Sequence, residues 1–199
     1  PGETDVLGRH NGDPLCPDLH SLDELLGNKH DMGTQKFTAL YQQSPTIESG
    51  NIFKREWVKF YVPDRETQAR LHLTDKDAII LPKHLDKSVQ AWDATFKSKA
   101  NDDFVAGQVW SKRGADLYLR PGWCHKRLSF TETLDAIRAM TRFYPDAVTK
   151  LVEDKANGPA IIDALQHEIP GIVAVSPGSD SKEARAASVS PVWESGNIY

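Results

Sequence analysis

Apolar residues gather into short strand-like runs in the second half of this chain, whereas in the first half they scatter among polar ones. The run Val-Gln-Ala-Trp-Asp-Ala-Thr-Phe-Lys (89–97) predicts a strand with a single carboxylate, Asp93, toward its far end. Phe104-Val-Ala-Gly-Gln-Val-Trp-Ser111 follows, then a Lys112-Arg113-Gly114 turn and Ala115-Asp-Leu-Tyr-Leu-Arg120. Such short turns predict an antiparallel three-strand meander. Ser129 and Glu132 have capping-box spacing, and Phe130, Leu134, Ile137 and Met140 recur at helical intervals up to about Tyr144, where Pro145 ends the helix. Val-Thr-Lys-Leu-Val-Glu-Asp-Lys (148–155) is another strand, ending in Glu153. Residues 157–165 are a helix with Pro159 in its first turn, and Gly171-Ile-Val-Ala-Val175 is a short buried strand. The order β-β-β-α-β-α-β does not alternate as a doubly wound parallel sheet does, so it predicts an α/β domain with a mixed sheet and helices on its faces.

The first half is weaker in pattern. Residues 1 to about 33 read as a partly ordered connector whose one short helical pattern is Leu22-Asp-Glu-Leu-Leu26. Residues 37–46 begin with helical spacing and stop at Pro45. Aromatics in 51–61 are suited to clipping the connector to a domain surface, and in the charged stretch 64–87 the strand candidate is Ala78-Ile-Ile-Leu81.

Composition narrows the class. With 199 residues, 39% of them hydrophobic, the chain can build one sizeable core or two small ones. A net charge of −4 gives no overall basic field, so any nucleic-acid contact has to come from a local strip. Two cysteines, Cys16 and Cys124, are too few for a disulfide framework and lack metal-ligand spacing, which points to a reducing compartment. No apolar stretch reaches membrane-spanning length, so no membrane partner is expected.

Two acids closing two apolar strands are the chemical feature of the sequence. A carboxylate at the end of a buried strand is poorly solvated and calls for a counter-charge, and a divalent cation is the usual one. Asp154, one residue past Glu153, is expected on the opposite face.

The chain resembles a known family through the order and spacing of several segments together: Phe37-Thr-Ala-Leu-Tyr-Gln-Gln-Ser-Pro45 with Ser49, Gly50 and Phe53; Trp92-Asp93 with Asn101-Asp102-Asp103-Phe104; Val152-Glu-Asp-Lys-Ala-Asn-Gly158; and Ser181-Lys-Glu-Ala-Arg185 through Pro191, Gly196 and Tyr199. These look like the C-terminal nuclease region of a tailed-bacteriophage or prophage terminase large subunit. The resemblance spans about residues 34–199 and implies an RNase H-like fold and an endonuclease that cuts concatemeric double-stranded DNA during viral genome packaging. It implies residues 1–52 as connector and tail of an ATPase motor and 53–199 as the nuclease domain. The partners implied are double-stranded DNA, the motor domain, a small terminase subunit and a portal protein, in the host bacterial cytoplasm. The chain has no Gly-x-x-x-x-Gly-Lys-Ser/Thr loop, so no ATP site is expected within it.

Phosphodiester hydrolysis of this kind uses two Mg²⁺ or Mn²⁺ ions about 4 Å apart, which hold the attacking and leaving oxygens. The resemblance assigns Asp93 to both ions and Glu153 to one. It also implies a third acid in a His-Asp-Asp segment beyond the equivalent of Tyr199, so the nuclease domain is expected to be truncated before its last acidic segment and inactive without it. Asp180 is the substitute within the chain, and Asp103 is a candidate outer ligand. Lys112, Arg113, Lys182 and Arg185 are the candidate phosphate contacts, joined by Lys126 and Arg127, while His125 reads as a surface histidine and Trp92, Trp110 and Trp123 as packing residues. Two other readings stay open: a non-catalytic module that docks DNA or the portal, and another RNase H-like nuclease such as a resolvase.

Overall fold

The computed structural model describes residues 8, 10, 12–42, 52–94, 104–155 and 157–199. In chain order its elements are α1 (Leu22–Tyr41), a 3-10 turn (Arg55–Trp57), β1 (Tyr61–Val62), α2 (Arg65–Arg70), β2 (Ile79–Ile80), β3 (Lys87–Ala94) and β4 (Val105–Arg113). Then come β5 (Asp116–Leu119), β6 (Cys124–Lys126), α3 (Phe130–Phe143), β7 (Thr149–Glu153), α4 (Gly158–Leu165), β8 (Ile172–Val175) and α5 (Lys182–Glu194). They form two units, residues 1–57 with 182–196 and residues 58–181 with 197–199.

In the first unit, α1 begins where Ser21 caps the amide of Glu24 and continues well past the short pattern visible in the sequence. It is two helical segments joined at Gly33, whose φ of 78° is one that a side-chain-bearing residue rarely adopts. The predicted stop at Pro45 lies outside the described residues; the helix ends at Tyr41. Helix α5, absent from the sequence reading because Ala, Ser and Pro give it almost no apolar face, packs on α1. Glu194 accepts from both the amide and the hydroxyl of Thr34, and Pro191 sits against Gly33. Phe53 meets Trp193 edge to face at 5.6 Å.

The second unit is built on a six-stranded mixed sheet ordered β5-β4-β3-β7-β8, with β6 pairing the same edge of β4 that β5 pairs further along. The predicted meander is present as β3, β4 and β5 in antiparallel succession. Strand β7 joins the other side of β3 in parallel, and β8 pairs β7 in parallel. A parallel neighbour needs a crossover, and α3 and α4 supply the two crossovers. Residues 197–199 return to the outer edge of β5, where the Leu117 amide donates to the Asn197 carbonyl and the Leu117 carbonyl accepts from the Tyr199 amide.

Alternation decides what each face carries. Ser88, Gln90, Trp92 and Ala94 of β3 point to one face together with Val105, Gly107, Val109 and Ser111 of β4 and Lys150 and Val152 of β7, and all are buried. On that face Leu134, Ile137 and Met140 of α3 and Ile161 and Leu165 of α4 complete the core. The capping box predicted at Ser129 and Glu132 is formed in full and starts α3 where the sequence placed it. Gly107 leaves room for the Trp92 ring: a Cβ there would lie 2.3 Å from the ring. The Trp92 indole donates to Gln90, and the Gln90 amide donates in turn to Thr141 on α3, so the polar atoms beneath the strand are matched.

Several local expectations are corrected. Strand β8 is an exposed edge strand, not a buried one, because among the described residues no strand pairs its outer side. Helix α2, capped by Asp64, occupies part of the charged stretch 64–87 that carried no helical pattern; β2 falls within the predicted Ala78–Leu81 run. Strand β6 was not foreseen, being three residues long. Trp123 is 58% exposed instead of packed, while Trp92 is a core residue as expected.

Two outcomes follow from this packing. Gly107→Ala should lower the unfolding free energy by about 1–3 kcal/mol, the usual range for overpacking a filled core, as read by urea denaturation. Lys150 is buried on β7, where its ammonium donates to the carbonyls of Val148 and Pro170, and burial lowers its pKa. The unfolded chain then binds the Lys150 proton more tightly, so this group's contribution grows as pH rises toward the unfolded value of about 10.4 and is lost as pH falls through the folded value. Buried tyrosines work oppositely: Tyr118 is pushed up to about 12 by burial and then by Asp116, and it favours the fold less as alkali ionises the unfolded phenol. The difference in stability between Lys150→Met and the parent, measured from neutral pH upward, isolates the lysine: the advantage of Met should shrink as the solution becomes alkaline.

Candidate metal centre

Asp93 lies at the next-to-last position of β3, and Glu153 is the last residue of β7. Their strands are parallel neighbours in the register Val89 with Thr149 through Trp92 with Val152. One step further puts Asp93 beside Glu153, with backbones about 4.8 Å apart. Matched residues of parallel strands send their side chains to the same face. That face is the one opposite Trp92 and Val152, away from α3 and α4.

The placement overturns one part of the sequence reading. Asp93 was expected to be poorly solvated, yet it is exposed and Glu153 is half-buried, because alternation turns both toward the open face while their neighbours fill the core. The case for a cation therefore rests on two adjacent oxygen donors instead of on burial, and hard divalent ions favour such donors.

Backbone contacts fix where Glu153 sits. The amide of Asp154, just past the strand, donates to Val175 of β8 at 2.8 Å, and Glu153 is itself in register with Val175. Gly158 opens α4 so close to β7 that a Cβ on it would lie 1.9 Å from the Glu153 carbonyl oxygen. Only a residue without a side chain lets the helix begin there, which gives a physical reason for the spacing of five between Glu153 and Gly158.

The remaining sequence candidates are spread widely. Asp103 lies outside the described residues. Asp180 is exposed in the segment between β8 and α5, and among the described residues no group of three His, Cys, Asp or Glu side chains is placed to hold a metal ion. Lys112 and Arg113 are exposed at the β4–β5 hairpin, and Lys112 pairs in register with Lys87, six positions along β3 from Asp93. At about 3.4 Å per residue that is about 20 Å from the acids. Lys182 and Arg185 belong to the first unit, Lys182 exposed and Arg185 half-buried in the opening turns of α5. Cys16 and Cys124 are both free thiols, and burial pushes the Cys124 thiol up. A groove lined by Trp123, Cys124, Leu128, Met140 and Phe143 opens between β6 and α3 on the helix-covered side of the sheet, away from the face that carries the acids.

Sequence reasoning missed what β6 brings to the same row. Asp93 is in register with Ala106, and Ala106 with His125, so Glu153, Asp93, Ala106 and His125 follow one another across four strands. The alternation of Cys124, His125, Lys126 and Arg127 after Gly122 carried the signal, but a three-residue strand is too short to stand out.

Comparison with known proteins adds a family. The family model described as Terminase RNaseH-like domain matches residues 90–199, which span the acidic pair and the elements after it. No curated protein matches the chain.

The contact at Gly158 yields a direct check. Gly158→Ala should destabilise the protein by about 1–3 kcal/mol because backbone has to move. Gly178→Ala, at a positive φ with open space around it, should lose only the conformational term of about 1–2 kcal/mol. Thermal unfolding of the two variants compares them, and amide exchange at the end of β7 should speed up in the first alone.

Proposed function

The chain belongs to the terminase RNaseH-like domain family, and from that premise we propose that it is the nuclease module of a packaging terminase, cutting double-stranded DNA by metal-assisted hydrolysis at Asp93 and Glu153. The observation that carries the reading is the adjacency of these two carboxylates at the ends of neighbouring parallel strands, on the face not covered by α3 and α4. Their chemistry fits a magnesium or manganese centre: two anionic oxygen donors within reach of one another, open to solvent, on a rigid sheet.

Bound cations would neutralise charge on the phosphodiester and lower the pKa of a bound water. Asp93 and Glu153 would hold them, Asp93 from the central strand and Glu153 from its neighbour. The protein's own contribution is position. Trp92 and Val152, one residue before each acid, are locked in the core, so the carboxylates start from fixed backbone, and Gly158 and Val175 hold the end of β7. DNA and the packaging complex are the partners this family implies, with residues 1–52 leading toward a motor domain. No helix among the described residues is long and apolar enough to cross a membrane.

A second reading, a module that docks DNA or a portal without cutting, is favoured by one observation: no third acidic, His or Cys group joins the pair among the described residues. Metal titration separates the two, since a docking module binds DNA with no response to Mn²⁺. Under the nuclease reading, Asp93→Asn in the intact protein lowers Mn²⁺-dependent nicking of supercoiled plasmid by about a hundredfold or more, with folding unchanged by circular dichroism. Undiminished nicking in that variant rejects the assignment.

A further inference from the structure

Phe104, just before β4, is 43% exposed, and its ring contacts both His125 and Arg127. The His125 ring stacks on it at 4.6 Å with an interplanar angle of 19°, and the Arg127 guanidinium lies over it at 5.1 Å. The register explains the grouping. Val105 pairs Lys126 and Ala106 pairs His125, so Phe104 stands opposite Arg127 and diagonal to His125. All three point to the same face as Asp93, because residues 104 and 106 alternate with the buried Val105 and Gly107.

We propose that Phe104, His125 and Arg127 form a clamp for a DNA phosphodiester on the strand being cut, a short way from the acidic pair. The inference rests on the nuclease reading of Asp93 and Glu153. Asp93 and His125 are separated by one strand, that of Ala106, and so by about 10 Å, the axial rise of about three nucleotides on one DNA strand. The residue between them is an alanine, which leaves the surface low along the line from acids to clamp. Charge complementarity favours a nucleic-acid backbone as the occupant. Asp93 and Glu153 make the acid end of this row repel a polyanion until cations bind, and His125 and Arg127 stand on the same face beside it in a chain of net charge −4. Phe104 acts as a positioning residue: its face holds the guanidinium by cation–π attraction, so the Arg127 donors are presented in a fixed plane to phosphate oxygens.

The test is binding of a short fluorescein-labelled DNA duplex to the full chain without added metal, followed by anisotropy over a range of salt. Arg127→Gln should weaken binding about tenfold and reduce the slope of log affinity against log salt by about one, as loss of a phosphate contact does. Phe104→Ala should weaken binding in the same direction, Phe104→Tyr should restore it, and the double variant should be no weaker than Arg127→Gln, since the ring works through the arginine. Melting temperatures identify any variant that has simply unfolded, and the slope is read only from folded ones. An unchanged salt slope in folded Arg127→Gln overturns the clamp while leaving the acidic pair untouched. Asp93→Asn separates the premise: without metal it should bind the duplex at least as tightly as the parent, and it should fail to nick plasmid with Mn²⁺. If it nicks normally, the acid-pair reading is wrong and the clamp falls with it.

Discussion

The parallel pairing of β3 with β7 is the constraint on which the site depends. It brings together two acids sixty residues apart in sequence, and it does so through main-chain hydrogen bonds that are indifferent to what the side chains are. Because residues alternate between faces, a slip of one position would send Glu153 into the core and Val152 to the surface. Burial of Trp92, Ala94 and Val152 against α3 and α4 opposes that slip, so the packed face sets the register and the open face inherits its arrangement.

Glycines hold the rest of this geometry at close quarters. Gly107 gives the Trp92 ring a flat seat on the neighbouring strand, and Gly158 lets α4 start against the carbonyl of Glu153. Each lies one element away from an acid and touches no substrate. Their effect is to fix the backbone from which the carboxylates project, which matters because two donors can share a cation only if neither strand end moves.

The two faces of the sheet thus divide the labour. One is the packed core, in which Trp92 donates to Gln90 and Gln90 to Thr141. The other carries acids at one end of β3 and lysines at the other, with the Phe104, His125 and Arg127 stack beside the acids. A polyanion laid over that face meets cationic groups on one side of the acidic pair, an arrangement suited to a family whose domain is named for terminases and RNase H.

Local chemistry carried much of this into the sequence. Ser129 and Glu132 announced α3 by capping, Pro159 marked the start of α4, and short turns between apolar runs announced the β3, β4 and β5 meander, since each of these depends on residues within a few positions of one another. Asp93 and Glu153 were legible as strand-end acids for the same reason. Their exposure was not: which face a strand buries depends on helices that follow much later, and the run around Asp93 read as buried throughout. Helix α5 and strand β6 escaped notice because Ala, Ser and Pro leave one without an apolar stripe and three residues leave the other without a period. Only the tertiary structure decided that β7 lies beside β3, and that His125 shares a row with Asp93, because register between distant strands is fixed by cooperative packing of the whole sheet and is written in no single segment.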